Sequence, residues 1–155
     1  SLSDKVKKDN THIVYLGLGT NLGNKEANLK EAIEEIRKRV GEVTSLSAFY
    51  ATKPWGFESD HSFLNAVCRI STPFSPIEVL HLTQDIERSL GRLKKTVNRQ
   101  YSDRLIDIDI LLYDDIHMNT SELTIPHPLM WEREFVTIPL KEIAPEITKP
   151  LPNDI

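Results

Sequence analysis

The order in which strand-like and helix-like segments alternate constrains the fold of this chain more than any other feature. Residues rich in β-branched and aromatic side chains occupy 12–18, 43–52, 63–72 and 105–112. Apolar residues recur at helical spacing over 29–40 and 77–90. The resulting βαββαβ order predicts an α+β, ferredoxin-like fold, in which helices pack on one face of an antiparallel sheet.

Turn and capping residues set the predicted ends of the helices. Asn24 is a candidate N-cap of the first helix, and Gly41 stands where a C-terminal glycine would. Ser75-Pro76-Ile77-Glu78 has the capping-box pattern, with proline at the first helical position. Gly91 is expected to end this second helix, and a shorter helix is predicted over 130–140.

Length and charge limit the class of protein. The 155 residues suffice for one domain, which we expect over 12–155 after a disordered arm over 1–11. The net charge of −4 argues against nucleic-acid binding, and no apolar run is long enough to span a membrane. Cys68 is the single cysteine, which fits a reducing cytoplasm. A monomer or a weak homo-oligomer is expected.

The stretch Asp107-Ile108-Asp109-Ile110 carries the strongest chemical signal. Alternate residues of a strand share a face, so Asp107 and Asp109 are expected side by side, with their Cα atoms about 6–7 Å apart. Two such carboxylates repel each other unless a cation lies nearby, and hard oxygen ligands suit Mg²⁺. The alternative is a solvated strand edge without metal. The other face is expected to hold Ile106, Ile108, Ile110 and Leu112.

A basic segment precedes this acidic pair. It contains Arg92, Lys94, Lys95, Arg99 and Arg104. Because it lacks apolar periodicity, we expect a mobile loop. On its own such a run indicates a solvated loop, but cations next to a metal-binding pair are what a polyphosphate site requires.

A second pair of side chains could hold a flat ring. Phe63 and Asn65 are two residues apart, so on a strand they share a face. An aromatic ring beside an amide suits a planar heterocycle, although a core phenylalanine near a strand end is the simpler interpretation. The chain has neither a P-loop motif nor a good dinucleotide-binding fingerprint.

Motifs along almost the whole chain, from about 12 to 150, resemble the 6-hydroxymethyl-7,8-dihydropterin pyrophosphokinase family of folate biosynthesis. In chain order they are Gly19-Thr20-Asn21-Leu22-Gly23, Phe49-Tyr50-x-Thr52, Phe63-Leu64-Asn65-Ala66, Gln84-x-x-Glu87 with Gly91-Arg92, Arg104-x-x-Asp107-x-Asp109-Ile110-Leu111, Pro126-His127-Pro128, Arg133-x-Phe135 and Pro139-Leu140-x-x-Ile143-Ala144-Pro145.

The resemblance implies transfer of pyrophosphate from ATP to the pterin hydroxymethyl group, with release of AMP. It implies that Asp107 and Asp109 bind two Mg²⁺ ions. It also implies that both aspartates act in catalysis, together with Arg92 and Lys94. The implied pterin-binding residues are Thr52, Pro54, Trp55, Phe63, Asn65 and Phe135. The implied ATP-binding residues are Gln84, Glu87, Arg92, Arg104, Ile110, Thr124, His127 and Arg133.

Two other classes of function compete with this interpretation. A ligand-sensing module on the same fold would bind a small molecule without turnover, and its acidic pair would be structural. An ordinary γ-phosphate kinase would release ADP instead of AMP. The reaction product therefore separates the three.

Overall fold

The computed structural model describes residues 10–52, 62–95 and 105–151. The strands in these ranges are β1 (His12–Thr20), β2 (Glu42–Leu46), β3 (Tyr50–Thr52), β4 (Phe63–Thr72), β5 (Asp107–Tyr113), β6 (Met118–Asn119) and β7 (Thr124–Ile125). The α-helices are α1 (Lys25–Arg39), α2 (Pro76–Lys95) and α3 (Glu134–Ile143), and a 3-10 turn spans Met130–Glu132. The predicted arm and basic loop lie largely outside the described residues.

Five strands form one antiparallel sheet in the order β2-β4-β1-β5, and β3 pairs with the start of β4 on the same side as β2. The central pair, β1 and β4, runs in continuous register from His12 opposite Thr72 to Thr20 opposite Leu64. Strands β6 and β7 form a separate small hairpin. The predicted combination of an antiparallel sheet with helices is confirmed at this level.

Different helices cover the two faces of the sheet. Leu16 of β1 belongs to the main core with the buried sides of α1 and α2, whereas Tyr15 faces the opposite way. There Tyr15 packs in a second cluster with Val136 and Leu140 of α3. The arrangement therefore differs from the predicted one-sided packing, because α3 buries its apolar side on the second face.

Both predicted N-terminal caps are present. Asn24 Oδ1 accepts a hydrogen bond from the Ala27 N–H at 3.1 Å, and α1 begins at Lys25. The Ser75 N–H donates to Glu78 Oε1 at 2.9 Å, while the Glu78 N–H donates to Ser75 Oγ at 3.3 Å. These reciprocal bonds satisfy N–H groups that the first turn of a helix cannot pair internally.

The two glycines placed at helix ends act differently from the prediction. Gly91 does not end α2, which continues to Lys95. Gly41 does follow α1, but its φ lies outside the left-handed region. A Cβ there would lie 2.3 Å from the carbonyl oxygen of Ser71, so a close approach of two backbones explains this glycine.

The region 43–52 forms two strands instead of the predicted one. Residues 47–49 separate β2 from β3, yet the chain stays attached to β4. The Ser47 N–H donates to the Val67 carbonyl at 2.9 Å, and Ser47 Oγ accepts from the Val67 N–H at 3.0 Å. The serine hydroxyl thus replaces a backbone acceptor where the strand is interrupted.

A bulge in β5 changes the predicted alternation. Tyr15 pairs with Leu112 and Leu16 pairs with Ile110, which leaves Leu111 as the extra residue. Leu112 was expected to share the face of Ile110, but it packs against the α3-side cluster.

The predicted helix over 130–140 is a 3-10 turn followed by α3. Within the described part of the chain, no helix is both long and apolar enough to cross a bilayer.

Candidate active site

One row of residues crosses the centre of the sheet on the face that α3 covers. Gly19 of β1 is paired with Asn65 of β4 on one side and with Asp107 of β5 on the other. The next row on this face joins Val67, Gly17 and Asp109. Two glycines therefore separate the predicted amide from the predicted carboxylates, and no β1 side chain stands between them.

Gly19 makes room for the carboxamide of Asn65. A Cβ at position 19 would lie 2.8 Å from Asn65 Oδ1 and 3.9 Å from Cδ2 of Phe63. Asn65 is only 4% exposed, and its Nδ2 donates to Thr52 Oγ1 at 3.1 Å. The predicted shared face of Phe63 and Asn65 is confirmed, and Thr52 joins them through this hydrogen bond.

The two aspartates also share a face, as predicted. Asp107 is half-buried and pairs with Gly19 of β1. Asp109 is exposed and pairs with Gly17. Ile106, Ile108 and Ile110 belong to the main core on the opposite face. Among the residues the structure describes, no group of three or more His, Cys, Asp or Glu side chains could hold a metal ion.

Glu87 of α2 supports the strand that carries both aspartates. Its Oε2 accepts a hydrogen bond at 2.8 Å from the backbone N–H of Ile108, the residue between the two aspartates. Among the described strands β5 lies at the edge of the sheet, and this carboxylate pairs one of its backbone N–H groups. Gln84 lies almost one turn earlier on α2 and is half-buried.

His127 lies near this edge of the sheet, and both its backbone and its ring make hydrogen bonds that fix its position. Its N–H donates to the Leu111 carbonyl at 2.9 Å, and its Nδ1 accepts from the Leu129 N–H at 3.2 Å. Burial lowers the pKa of His127; the Asp109 carboxylate opposes this shift and Arg133 adds to it. The ring is therefore mainly neutral at pH 7, and its proton lies on Nε2.

A cavity of about 720 Å³ opens between β3 and the start of α3. Tyr50, Ala51 and Thr52 lie on one side, and on the other lie Glu132, Arg133, Glu134, Phe135 and Ile138. Phe135 is 37% exposed, and Cζ of Arg133 lies 5.5 Å from the centroid of its ring. An exposed aromatic ring in cation–π contact with a guanidinium offers a flat, polarised wall to a ligand.

Comparison with known proteins identifies the family. The sequence matches the family described as 7,8-dihydro-6-hydroxymethylpterin-pyrophosphokinase (HPPK) over residues 15–145. The chain belongs to this family.

Relatives agree with this assignment. A 2-amino-4-hydroxy-6-hydroxymethyldihydropteridine pyrophosphokinase of Porphyromonas gingivalis is 49% identical over 144 residues, which cover 91% of this chain and 98% of the relative. The enzyme of the same name from Bacillus subtilis is 39% identical over 139 residues, covering 89% of this chain and 81% of the relative.

Solved structures share the fold. The Plasmodium falciparum HPPK-DHPS wild-type structure superposes with a TM-score of 0.71 at 16% identity, covering 89% of this chain. The A437G variant of that protein with pteroate gives a TM-score of 0.69, also at 16% identity and 89% coverage. This chain spans 42% and 40% of the two solved chains, respectively.

Not every residue assigned by resemblance to this HPPK family presents its side chain at the site. Ile110 is 3% exposed, and its side chain packs in the main core. Thr124 Oγ1 donates to Asn119 Oδ1 at 3.3 Å, across the hairpin of β6 and β7. Arg92 and Lys94 lie on the last turns of α2, where only their backbone is described. Pro54, Trp55 and Arg104 lie outside the described residues.

Sequence reasoning missed three residues that shape this HPPK-family site. Gly19 was given no site role beyond its place in a family motif, although it provides the space for Asn65. Tyr50 lines the cavity, and Glu142 of α3 accepts a hydrogen bond from its hydroxyl. The predicted strand ended at residue 18, whereas β1 extends to Thr20 and includes Gly19; a glycine inside a strand often marks close approach of another group.

Proposed function

We propose that this chain transfers the pyrophosphoryl group of ATP to the hydroxymethyl oxygen of 6-hydroxymethyl-7,8-dihydropterin, the pyrophosphokinase step of folate biosynthesis. The observation that carries the proposal is the row Asn65–Gly19–Asp107. In this row the amide of Asn65, which suits a heterocycle, and the carboxylate of Asp107, which suits a metal–phosphate complex, lie on one face of the sheet. Only Gly19 separates them. Two substrates bound there would meet across β1.

The pterin would occupy the side of the site nearest β3. Phe63 and Phe135 are the candidate stacking rings, since Phe63 flanks Gly19 and Phe135 lines the cavity. Asn65 keeps one amide hydrogen and its carbonyl oxygen for the edge of the ring, because Thr52 already takes the other hydrogen. Ring binding by stacking and edge pairing orients the hydroxymethyl group toward β5.

The triphosphate would occupy the side nearest β5. Asp107 and Asp109 would hold two Mg²⁺ ions, which when bound neutralise phosphate charge and align the phosphates. Neutral His127 can donate from Nε2, and Arg133 adds a cation nearby. Arg92, Lys94 and Arg104 are the proposed further cations, supplied by the basic segment that precedes β5. Glu87 keeps the acidic strand in place.

The proposed chemistry is one displacement. The hydroxymethyl oxygen attacks the β-phosphorus of ATP in line and forms a new O–P bond. The bond from the β-phosphorus to the oxygen bridging it to the α-phosphate breaks, and AMP leaves. The hydroxyl proton is lost late, to Asp109 or to water, so positioning and charge neutralisation supply most of the acceleration.

Product analysis tests this proposal directly. The protein is incubated with ATP, MgCl₂ and 6-hydroxymethyl-7,8-dihydropterin, and nucleotides are separated by chromatography. AMP with pterin pyrophosphate is the expected result. ADP would overturn the proposal in favour of a γ-phosphate kinase, and binding without turnover would favour a ligand-sensing module.

Asp109→Asn tests the carboxylates. The amide keeps the shape of the side chain and loses its charge, so we expect turnover to fall by about 10²–10³ while the melting temperature stays close to wild type. Asp115→Asn is the matched control, since Asp115 is also exposed and lies in the turn after β5. Full Mg²⁺-dependent turnover in Asp109→Asn would refute the metal-binding role.

A further inference from the structure

Glu142, near the C-terminal end of α3, connects this helix to the strands on the other side of the cavity. The Ala48 N–H lies 3.1 Å from each of its carboxylate oxygens, and the Tyr50 hydroxyl donates to Oε1. Ala48 belongs to the interruption between β2 and β3, and Tyr50 begins β3. The carboxylate of Glu142 thus binds both Ala48 and Tyr50, in the segment that leads into β3 at one side of the cavity.

These contacts join the two walls of the cavity. Phe135 and Glu142 are seven residues apart on α3, or about 10 Å along the helix. Both residues lie on this ten-residue helix, which contains Pro139, so the contacts of Glu142 restrict how far Phe135 can move relative to β3. The apolar contacts of Val136 and Leu140 also hold α3 on the sheet, and the hydrogen bonds to Glu142 add directional contacts with the segment that leads into β3.

The contacts of Glu142 are also linked, through β3, to Asn65, whose amide is proposed to bind the pterin. Tyr50 is paired with Asn65 in the sheet, and Thr52, two residues later, accepts the Asn65 amide hydrogen bond. The hydrogen bond to Glu142 is the main cause that raises the pKa of Tyr50, so its hydroxyl remains a donor throughout the neutral range. Any displacement of β3 would therefore move the partner that orients Asn65.

We propose that Glu142 is a positioning residue for the pterin site. It sets the spacing between Phe135 on α3 and the Thr52–Asn65 pair on the sheet without touching either substrate. This inference rests on the proposed function and adds to it a residue outside the ligand-binding set. The effect of losing these contacts should be larger for the pterin than for ATP, because β3 and Phe135 line the cavity, whereas Arg133 is shared between this cavity and the triphosphate side.

The test compares pterin affinity with ATP affinity in Glu142→Ala, Glu142→Gln and Tyr50→Phe, by calorimetry with MgATP and with the hydroxymethyl pterin. Glu142→Ala is expected to weaken pterin binding about tenfold and to leave ATP binding within about twofold. Glu142→Gln retains an acceptor oxygen and should recover most of the affinity. Tyr50→Phe should give an intermediate loss that is not additive with Glu142→Ala, because both remove the same bond.

Glu146→Ala is the control, since it removes an exposed carboxylate just beyond the same helix. Equal losses for both substrates, or a lower melting temperature with unchanged pterin affinity, would overturn the positioning role. If Glu142→Ala does not fold, wild-type pterin affinity in both Glu142→Gln and Tyr50→Phe would also overturn it. Failure of the wild-type protein to bind the pterin would instead refute the proposed function, so the two failures are distinguishable.

Discussion

Replacing Gly19 with alanine should damage pterin binding far more than it damages the fold. The new Cβ would lie 2.8 Å from Asn65 Oδ1, whereas ordinary contacts begin near 3.4 Å. The carboxamide must therefore withdraw by roughly 0.6 Å or rotate. Either movement strains its hydrogen bond to Thr52 Oγ1, which is already 3.1 Å long.

The opposing effects on stability nearly cancel. A Gly→Ala change at a compatible strand position reduces the entropy of the unfolded chain, which favours folding by about 0.4–1 kcal/mol. Weakening one side-chain hydrogen bond costs about 1 kcal/mol. The free energy of unfolding should therefore change by less than about 1 kcal/mol, since the clash falls on a side-chain end and not on backbone.

Binding has no such compensation. A displaced carboxamide leaves the buried edge of the pterin ring without its partner, which costs about 1–3 kcal/mol, or roughly a 5- to 150-fold loss of affinity. Calorimetric titration with the pterin, together with urea unfolding, measures both quantities. ATP affinity should remain unchanged.

Gly17→Ala is the matched control on the same strand and face. Its Cβ would meet Leu111 Cδ2 at 3.4 Å, an ordinary contact that leaves Asn65 undisturbed. Pterin affinity should therefore survive in Gly17→Ala. Wild-type pterin affinity in Gly19→Ala would refute the role of this glycine, and equal losses in both variants would show that the effect is not specific to Asn65.

Two further predictions concern stability. Gly41→Ala should lower the free energy of unfolding by about 2–4 kcal/mol, because the Cβ of the new alanine would lie 2.3 Å from the backbone oxygen of Ser71. A urea midpoint equal to that of the wild type would contradict this expectation. The hydrogen bonds with Ser75 lower the pKa of Glu78, so the stability they add is complete above the unfolded pKa near 4.5 and is lost as pH falls through the folded value. Thermal melts of wild type and Glu78→Gln should therefore converge in acid, and a pH-independent difference between them would refute the linkage.

Sequence alone determined the features that depend on near neighbours in the chain. The caps at Asn24 and at Ser75 with Glu78 follow from a side chain meeting a backbone N–H three residues away. The shared faces of Phe63 with Asn65 and of Asp107 with Asp109 follow from the two-residue period of a strand. These interactions need no information about the rest of the molecule, so they could be predicted residue by residue.

Tertiary structure decided what depends on distant partners. Pairing with β1 produced the bulge at Leu111 and turned Leu112 to the second face. Gly19 matters because Asn65, far along the chain, lies against it. Glu142 matters because the fold brings it to Tyr50, 92 residues away in the chain. Such contacts form only when separate elements pack, because steric exclusion and directional hydrogen bonds act between atoms that the sequence does not place side by side.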